Sequence, residues 1–129
     1  RSRAAPPPAA KEVDAPTPEI AANRALAREQ LALIDQALDV HRRLVQNARA
    51  EPFPGLSVWE RRKLEALRRS GAGKSEIIAA LEKELESLKK EERYAKAQKE
   101  AARGTDLGIF DAKFRRIEVE IWLNEEKAR

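Results

Sequence analysis

The sequence predicts an all-α fold, an elongated antiparallel helical bundle or pair of hairpins preceded by a Pro/Ala-rich arm, and three observations predict it. Charged residues make up 37% of the 129 positions and aromatic residues only 5%. Alanine alone accounts for 23 of the apolar residues, so the larger side chains suffice for narrow stripes and not for a thick globular interior. Apolar residues recur at helical spacing in four runs, and each run is bracketed by capping residues, proline or glycine. A length of 129 residues fits one helical domain, 17–129, behind an arm, 1–16.

The arm, RSRAAPPPAAKEVDAP, contains four prolines and no apolar residue larger than Val13. Such a segment buries too little surface to offset the entropy of ordering it, which predicts a flexible tether. Thr17, Pro18 and Glu19 then supply an N-cap, a first-turn proline and an acid at the positive helix end. The first helix is expected over 17–48. Leu31, Ile34, Leu38 and Val45 form one stripe, and Leu33, Ala37, Val40 and Leu44 form a second beside it. Two stripes predict two packing neighbours and a place inside the bundle.

Pro52, Pro54 and Gly55 end that run. Ser57 with Glu60 reads as a capping box opening a second helix over 58–70, and Ser70-Gly71-Ala72-Gly73 stops it. Ser75 is expected to cap a third helix over 75–103, whose seam is Ile78, Leu81, Leu85, Leu88 and Ala95. Gly104 is the expected C-cap and Thr105 the next N-cap, opening a last helix over 105–127. Its seam of Leu107, Phe110, Phe114, Ile117 and Ile121, spaced three, four, three and four, is the clearest in the chain and is expected to be core. Val119 and Trp122 widen it, which predicts more than one neighbour or an exposed contact surface. Leu56–Glu60 parallels 107–111, and 62–66 parallels 115–119, so 17–70 and 75–127 read as a weak duplication.

Charge and motifs bear on function mainly by exclusion. The absence of cysteine excludes disulfide scaffolds, zinc-thiolate sites and thiol catalysis. Gly73-Lys74-Ser75 ends like a phosphate loop, but the loop's first glycine would fall at Arg68 and a charged helix stands where a strand belongs. His41 is the only histidine, with no set of ligands or catalytic companions at recognisable spacing, so it reads as a surface or boundary residue. No catalytic, cofactor-binding or metal site is therefore expected, and the chain reads as a non-enzyme requiring no cofactor. No run is apolar enough to span a bilayer. Arg1 in place of Met predicts a processed or trimmed product that has lost an export signal, a transit peptide or a membrane anchor.

The net charge of +4 is mild, and acids are interleaved with the basic clusters, which weakens the case for nucleic acid and favours salt-bridged helix faces. Trp and Arg are the usual anchors at protein interfaces. Trp59, Arg61, Arg62, Arg115, Arg116 and Trp122 are accordingly the candidate partner-binding residues, with Trp122 the expected docking anchor on the last helix. The expected partner is a protein, through self-association or a larger assembly.

The segment Ala102-Arg103-Gly104-Thr105-Asp106-Leu107-Gly108-Ile109-Phe110-Asp111-Ala112, followed by Arg116 to Glu120, resembles the outer-membrane efflux factor (TolC) family. There, a long helix passes through a Gly-containing turn and a short Leu/Val-Asp-Ala stretch into another helix. Glu118 to Leu123 is also similar to the ends of small, uncharacterised secreted helical proteins of planctomycete bacteria. The chain has no amphipathic strands for a barrel and only a fraction of a channel's length. The resemblance thus implies a helical module of the cell envelope, periplasmic or secreted, and not an efflux channel. The leading expectation is a non-catalytic structural or adaptor protein. The alternative is an accessory subunit of an RNA-containing or organellar complex that uses its basic helix faces and N-terminal arm.

Overall fold

A computed structural model describes residues 15–129; the tether expected over 1–16 lies almost wholly outside them. The described chain forms four helices and no strand: α1 Pro18–Gln46, α2 Gly55–Ser70, α3 Lys74–Glu100 and α4 Asp106–Ala128. Each helix packs on the next in sequence, α1 on α2, α2 on α3 and α3 on α4. The all-α hairpin architecture expected from the periodicity is thus the one observed.

The ends show which local signals operate. Thr17 caps α1 as expected, its Oγ1 accepting from the Ile20 N–H at 3.1 Å, with Pro18 at the first helical position. Gly71 closes α2 in the left-handed region at φ 81°, where a side chain would be strained. The expected capping box is absent. Helix α2 starts earlier, at Gly55, so Ser57 lies within the first turn, its Oγ 3.0 Å from the Pro54 carbonyl. Ser75 is likewise displaced from the cap, because α3 begins at Lys74 with Gly73 as N-cap. At the end of α3 the left-handed residue is Ala102, φ 58°, and not Gly104.

The core sits where α2, α3 and α4 meet. Leu81, Leu88 and Val119 are fully buried, with Leu64, Ile77 and Leu123 around them and Ile78, Leu85 and Trp122 packed at the margin. Of the expected α3 seam, Leu81 and Leu88 are core, each supplying about 2 kcal/mol of apolar transfer energy, while Ile78 and Leu85 lie at its margin, Ala95 is outside it and the buried isoleucine is Ile77. Two other expectations fail. Helix α1 packs only on α2, through Ala27 and Ile34, and its second stripe is open, Leu33, Val40 and Leu44 being exposed together with Leu26. It lies at the edge of the assembly, not inside it. The α4 seam is also turned outward: Leu107, Phe110, Phe114, Ile117 and Ile121 are between 42% and 75% exposed, while Ala112, Val119 and Leu123 face α3.

Candidate protein-binding surface

Why α4 faces inward with its smaller side chains follows from the charges beside them. Ala112 and Val119 let the α4 backbone approach α3, and at that short distance the arginines of the same face reach carboxylates on α3. Arg115 donates to both oxygens of Glu91 and to the Ser57 hydroxyl, the last at 3.1 Å, joining α2, α3 and α4. Ser57 in turn donates to Glu91 at 2.7 Å. Arg116 pairs with Glu92 at 2.7 Å and with Glu120 at 3.2 Å. Burial works against the Arg115 charge, but the carboxylates of Glu91 and Asp111 outweigh it and raise its pKa. The hydrogen bond that Arg116 donates to Glu92 holds that carboxyl below the usual carboxylate range. Rotating α4 to bury the phenylalanines would break the bonds of Arg115 to Glu91 and Ser57 and of Arg116 to Glu92, several of them largely shielded from water.

Arg61 forms a second link between helices. Its Nε donates to Glu84 at 2.8 Å, another nitrogen lies 3.4 Å from Glu118, and its guanidinium covers the Trp122 ring at 4.6 Å from the centroid. Glu84 and Glu60 are both buried, and each has one oxygen, Oε1, with no partner. Burial pushes both carboxyls above their ordinary value; Arg61 opposes this at Glu84, and a hydrogen bond with Ser87 opposes it at Glu60.

The six anchor candidates thus fall into two groups. Arg61, Arg115, Arg116 and Trp122 are half-buried and occupied by contacts between helices of the same chain. Trp122 packs on the core margin, and Arg61 covers its outer face. Trp59 and Arg62 lie on α2, the Arg62 guanidinium stacked on the Trp59 ring at 4.5 Å. They border a groove of about 320 Å³ shared with Leu33 and Ile34 of α1. No geometry brings the six together into one surface.

The contiguous surface lies elsewhere. Leu107, Phe110, Phe114, Ile117 and Ile121 form one straight row along α4, open to solvent for four turns. At about 150–200 Å² per side chain, the observed exposures amount to about 500 Å² of apolar surface. That is near the top of the range for the largest patch on an ordinary monomer. Sequence reasoning named these residues but assigned them to the core. The signal that separates the two faces was present: Glu91-Glu92 on α3 and Arg115-Arg116 on α4 are adjacent opposite pairs, and their attraction selects which side of α4 turns inward.

Other clefts offer less. An apolar one of about 510 Å³, mainly between α1 and α2, is lined by Leu38, His41, Val45, Pro52, Leu56 and Glu60 among others. His41 is half-buried there, its Nε2 close against Gly55, where a Cβ would approach to 2.6 Å. Lys74, of the glycine-lysine-serine sequence, donates to the Lys127 carbonyl at 3.2 Å. Among the described residues no group of three or more His, Asp or Glu side chains converges to hold a metal ion, and no helix is long and apolar enough to cross a membrane. No family model, curated protein or solved structure matches the chain.

Proposed function

We propose that the chain is a non-catalytic structural or adaptor module that works by docking the outer face of α4 against another protein. The observation that carries this reading is the unpartnered row of Leu107, Phe110, Phe114, Ile117 and Ile121. Exposing phenylalanines and isoleucines along four turns costs solubility and gains nothing for the isolated fold, whereas a partner helix laid along the row recovers their burial. A protein partner is favoured over RNA because Arg61, Arg115 and Arg116 are already neutralised by Glu84, Glu91 and Glu92. Paired guanidinium groups have little charge left for phosphate. Placement in the cell envelope rests on the likeness of residues 102–120 to the efflux-factor family and belongs to the same proposal.

The test compares the whole chain with its Phe110→Ser/Phe114→Ser variant as baits in extract from the native source. Circular dichroism first establishes that the variant is equally helical. A protein captured by the parent, retained after nuclease and about 0.5 M salt and lost with the variant, supports the proposal. Capture abolished by nuclease, or undiminished by the two substitutions, overturns it.

A further inference from the structure

The outer row of α4 has the spacing of a coiled-coil seam, and the residues bordering it carry a charge pattern that identifies an occupant. We infer that the row pairs with the same row of a second copy of this chain, in antiparallel orientation. This inference rests on the docking role proposed for α4 and specifies its partner.

In heptad positions, Leu107, Phe114 and Ile121 are a residues, and Phe110 and Ile117 are d residues, followed by Asn124. Antiparallel pairing of a with d sets Phe114 against Ile117 of the second copy, Phe110 against Ile121 and Leu107 against Asn124. The two-fold axis then passes between residues 115 and 116 of α4. On one border, Asp106, Lys113, Glu120 and Lys127 occupy the g positions. In this register Asp106 faces Lys127 of the second copy and Lys113 faces Glu120, each twice by symmetry, so every pair on that border is attractive. Within the chain Asp106 already pairs with Lys99 and Glu120 with Arg116 at 3.2 Å, but the Arg116 charge is shared with Glu92 at 2.7 Å. Neither Lys113 nor Lys127 has a carboxylate partner among the described residues, so the attraction on this border is supplied chiefly by the two unpaired lysines.

The other border, Asp111, Glu118 and Glu125, is acidic throughout. Two of its members already have cations within the chain, Asp111 with Arg115 at 2.9 Å and Glu118 with Arg61 at 3.4 Å. Self-pairing therefore meets only a residual repulsion there. A parallel pair fares worse, because it sets Asp106 against Asp111 and Glu120 against Glu125 of the second copy, leaving Lys113 with Glu118 as the only favourable match. In area, two rows of about 500 Å² each together fall just below standard specific interfaces, in the range of weak and reversible association.

Sedimentation equilibrium of the whole chain across about 1–200 µM should show a monomer–dimer equilibrium. Lys113→Glu and Glu120→Lys should each weaken it about tenfold or more, since each puts like charges together twice. Mixed in equal amounts, the two variants should form a heterodimer close to parental affinity, because both opposed pairs are again opposite in sign. The chain has no cysteine, so Glu125→Cys carries a single spin label; the antiparallel register predicts about 30 Å between the two labels, and a parallel pair about half that or less. A chain that remains monomeric throughout overturns self-pairing and leaves the docking role to the extract experiment. A dimer indifferent to the charge reversals and to Phe114→Ser overturns self-pairing through α4 and counts against the docking face itself. A short label separation, or rescue failing in the mixture, overturns the antiparallel register.

Discussion

Arg61→Met removes the one cation bonded to a carboxylate that is almost wholly shielded from water. The Glu84 side chain is 1% exposed, its Oε2 accepts from Arg61 at 2.8 Å and its Oε1 has no partner. Methionine keeps the aliphatic volume but leaves the carboxylate uncompensated, a change that typically costs about 3–5 kcal/mol. Loss of the guanidinium over Trp122 adds about 0.5–1 kcal/mol. Against a total of about 5–15 kcal/mol for a domain of this size, the variant should be near the limit of folding at neutral pH. Glu84 is already raised from its ordinary 4.5 by burial, with Arg61 as the main opposing influence. A raised carboxyl favours the folded state in its protonated form, so its contribution is full below about 4.5 and is lost as pH rises through the folded value. Without Arg61 that folded value climbs, and the variant's deficit should be largest at pH 7–8 and shrink towards pH 5. Urea denaturation followed at 222 nm, on parent and variant at matched pH, measures the difference while cancelling groups common to both. The double variant Arg61→Met/Glu84→Leu should regain most of the loss, since an apolar pair of similar volume commonly equals or exceeds a buried ion pair. A deficit below about 1 kcal/mol, or one that does not change between pH 5 and 8, would refute the reasoning.

Glu60 is a simpler case: it is buried with one unpartnered oxygen and has a raised pKa from burial. Glu60→Gln should stabilise the chain at pH 7 by about 1 kcal/mol and flatten the rise in stability that the parent shows as pH falls towards 4.5, as read from parallel urea titrations. Leu81→Ala should cost about 2–5 kcal/mol at a fully buried site. Phe114→Ala, measured at nanomolar concentration by fluorescence where α4 is unpartnered, should cost under about 0.5 kcal/mol, and comparable losses at the two positions would contradict the outward orientation of α4. Gly71→Ala should cost about 1–2 kcal/mol in thermal unfolding, because φ 81° strains any side chain and the added Cβ would lie 2.9 Å from Arg24 Nε.

Periodicity alone was enough for the fold class and for four helices, because apolar spacing and chain breakers are local properties. Ends were less legible. The Ser57–Glu60 box failed because both side chains have stronger business across the fold, Ser57 with Glu91 and Arg115, and Glu60 in the interior beside Ser87. Ala102 took the left-handed position that Gly104 was expected to fill because α3 ends at Glu100, before the glycine is reached. Of the candidate partner-binding residues, Arg61, Arg115 and Arg116 are not separated from surface arginines by the spacing within their own helices; for Arg115 and Arg116 the signal is the matching acidic doublet on another helix. Their carboxylate partners lie 23 or 24 residues away on α3, and only the folded hairpins bring them into contact.

The orientation of α4 shows why a strong seam need not be an interior one. A helix with two apolar rows can bury either, and the choice falls to the row whose neighbours also find partners. Burying Phe110, Phe114 and Ile117 would gain more transfer energy per residue than burying Ala112 and Val119. It would also swing Arg115 and Arg116 away from Glu91 and Glu92, and leave Glu91 desolvated on α3 without its cation. The smaller row wins because it satisfies the charges beside it, and the larger row remains available to a second helix. Arg115→Met should therefore do more than subtract a salt bridge. With Glu91 unpaired and Asp111 released, the inward face loses its advantage, and α4 should exchange between the two orientations. Hydrogen exchange localises the effect: amides of 107–121 should lose protection in Arg115→Met while those of 77–88 keep theirs. Uniform loss of protection along the whole chain would mean that the charges hold the entire bundle together, and that they do not select the face of α4.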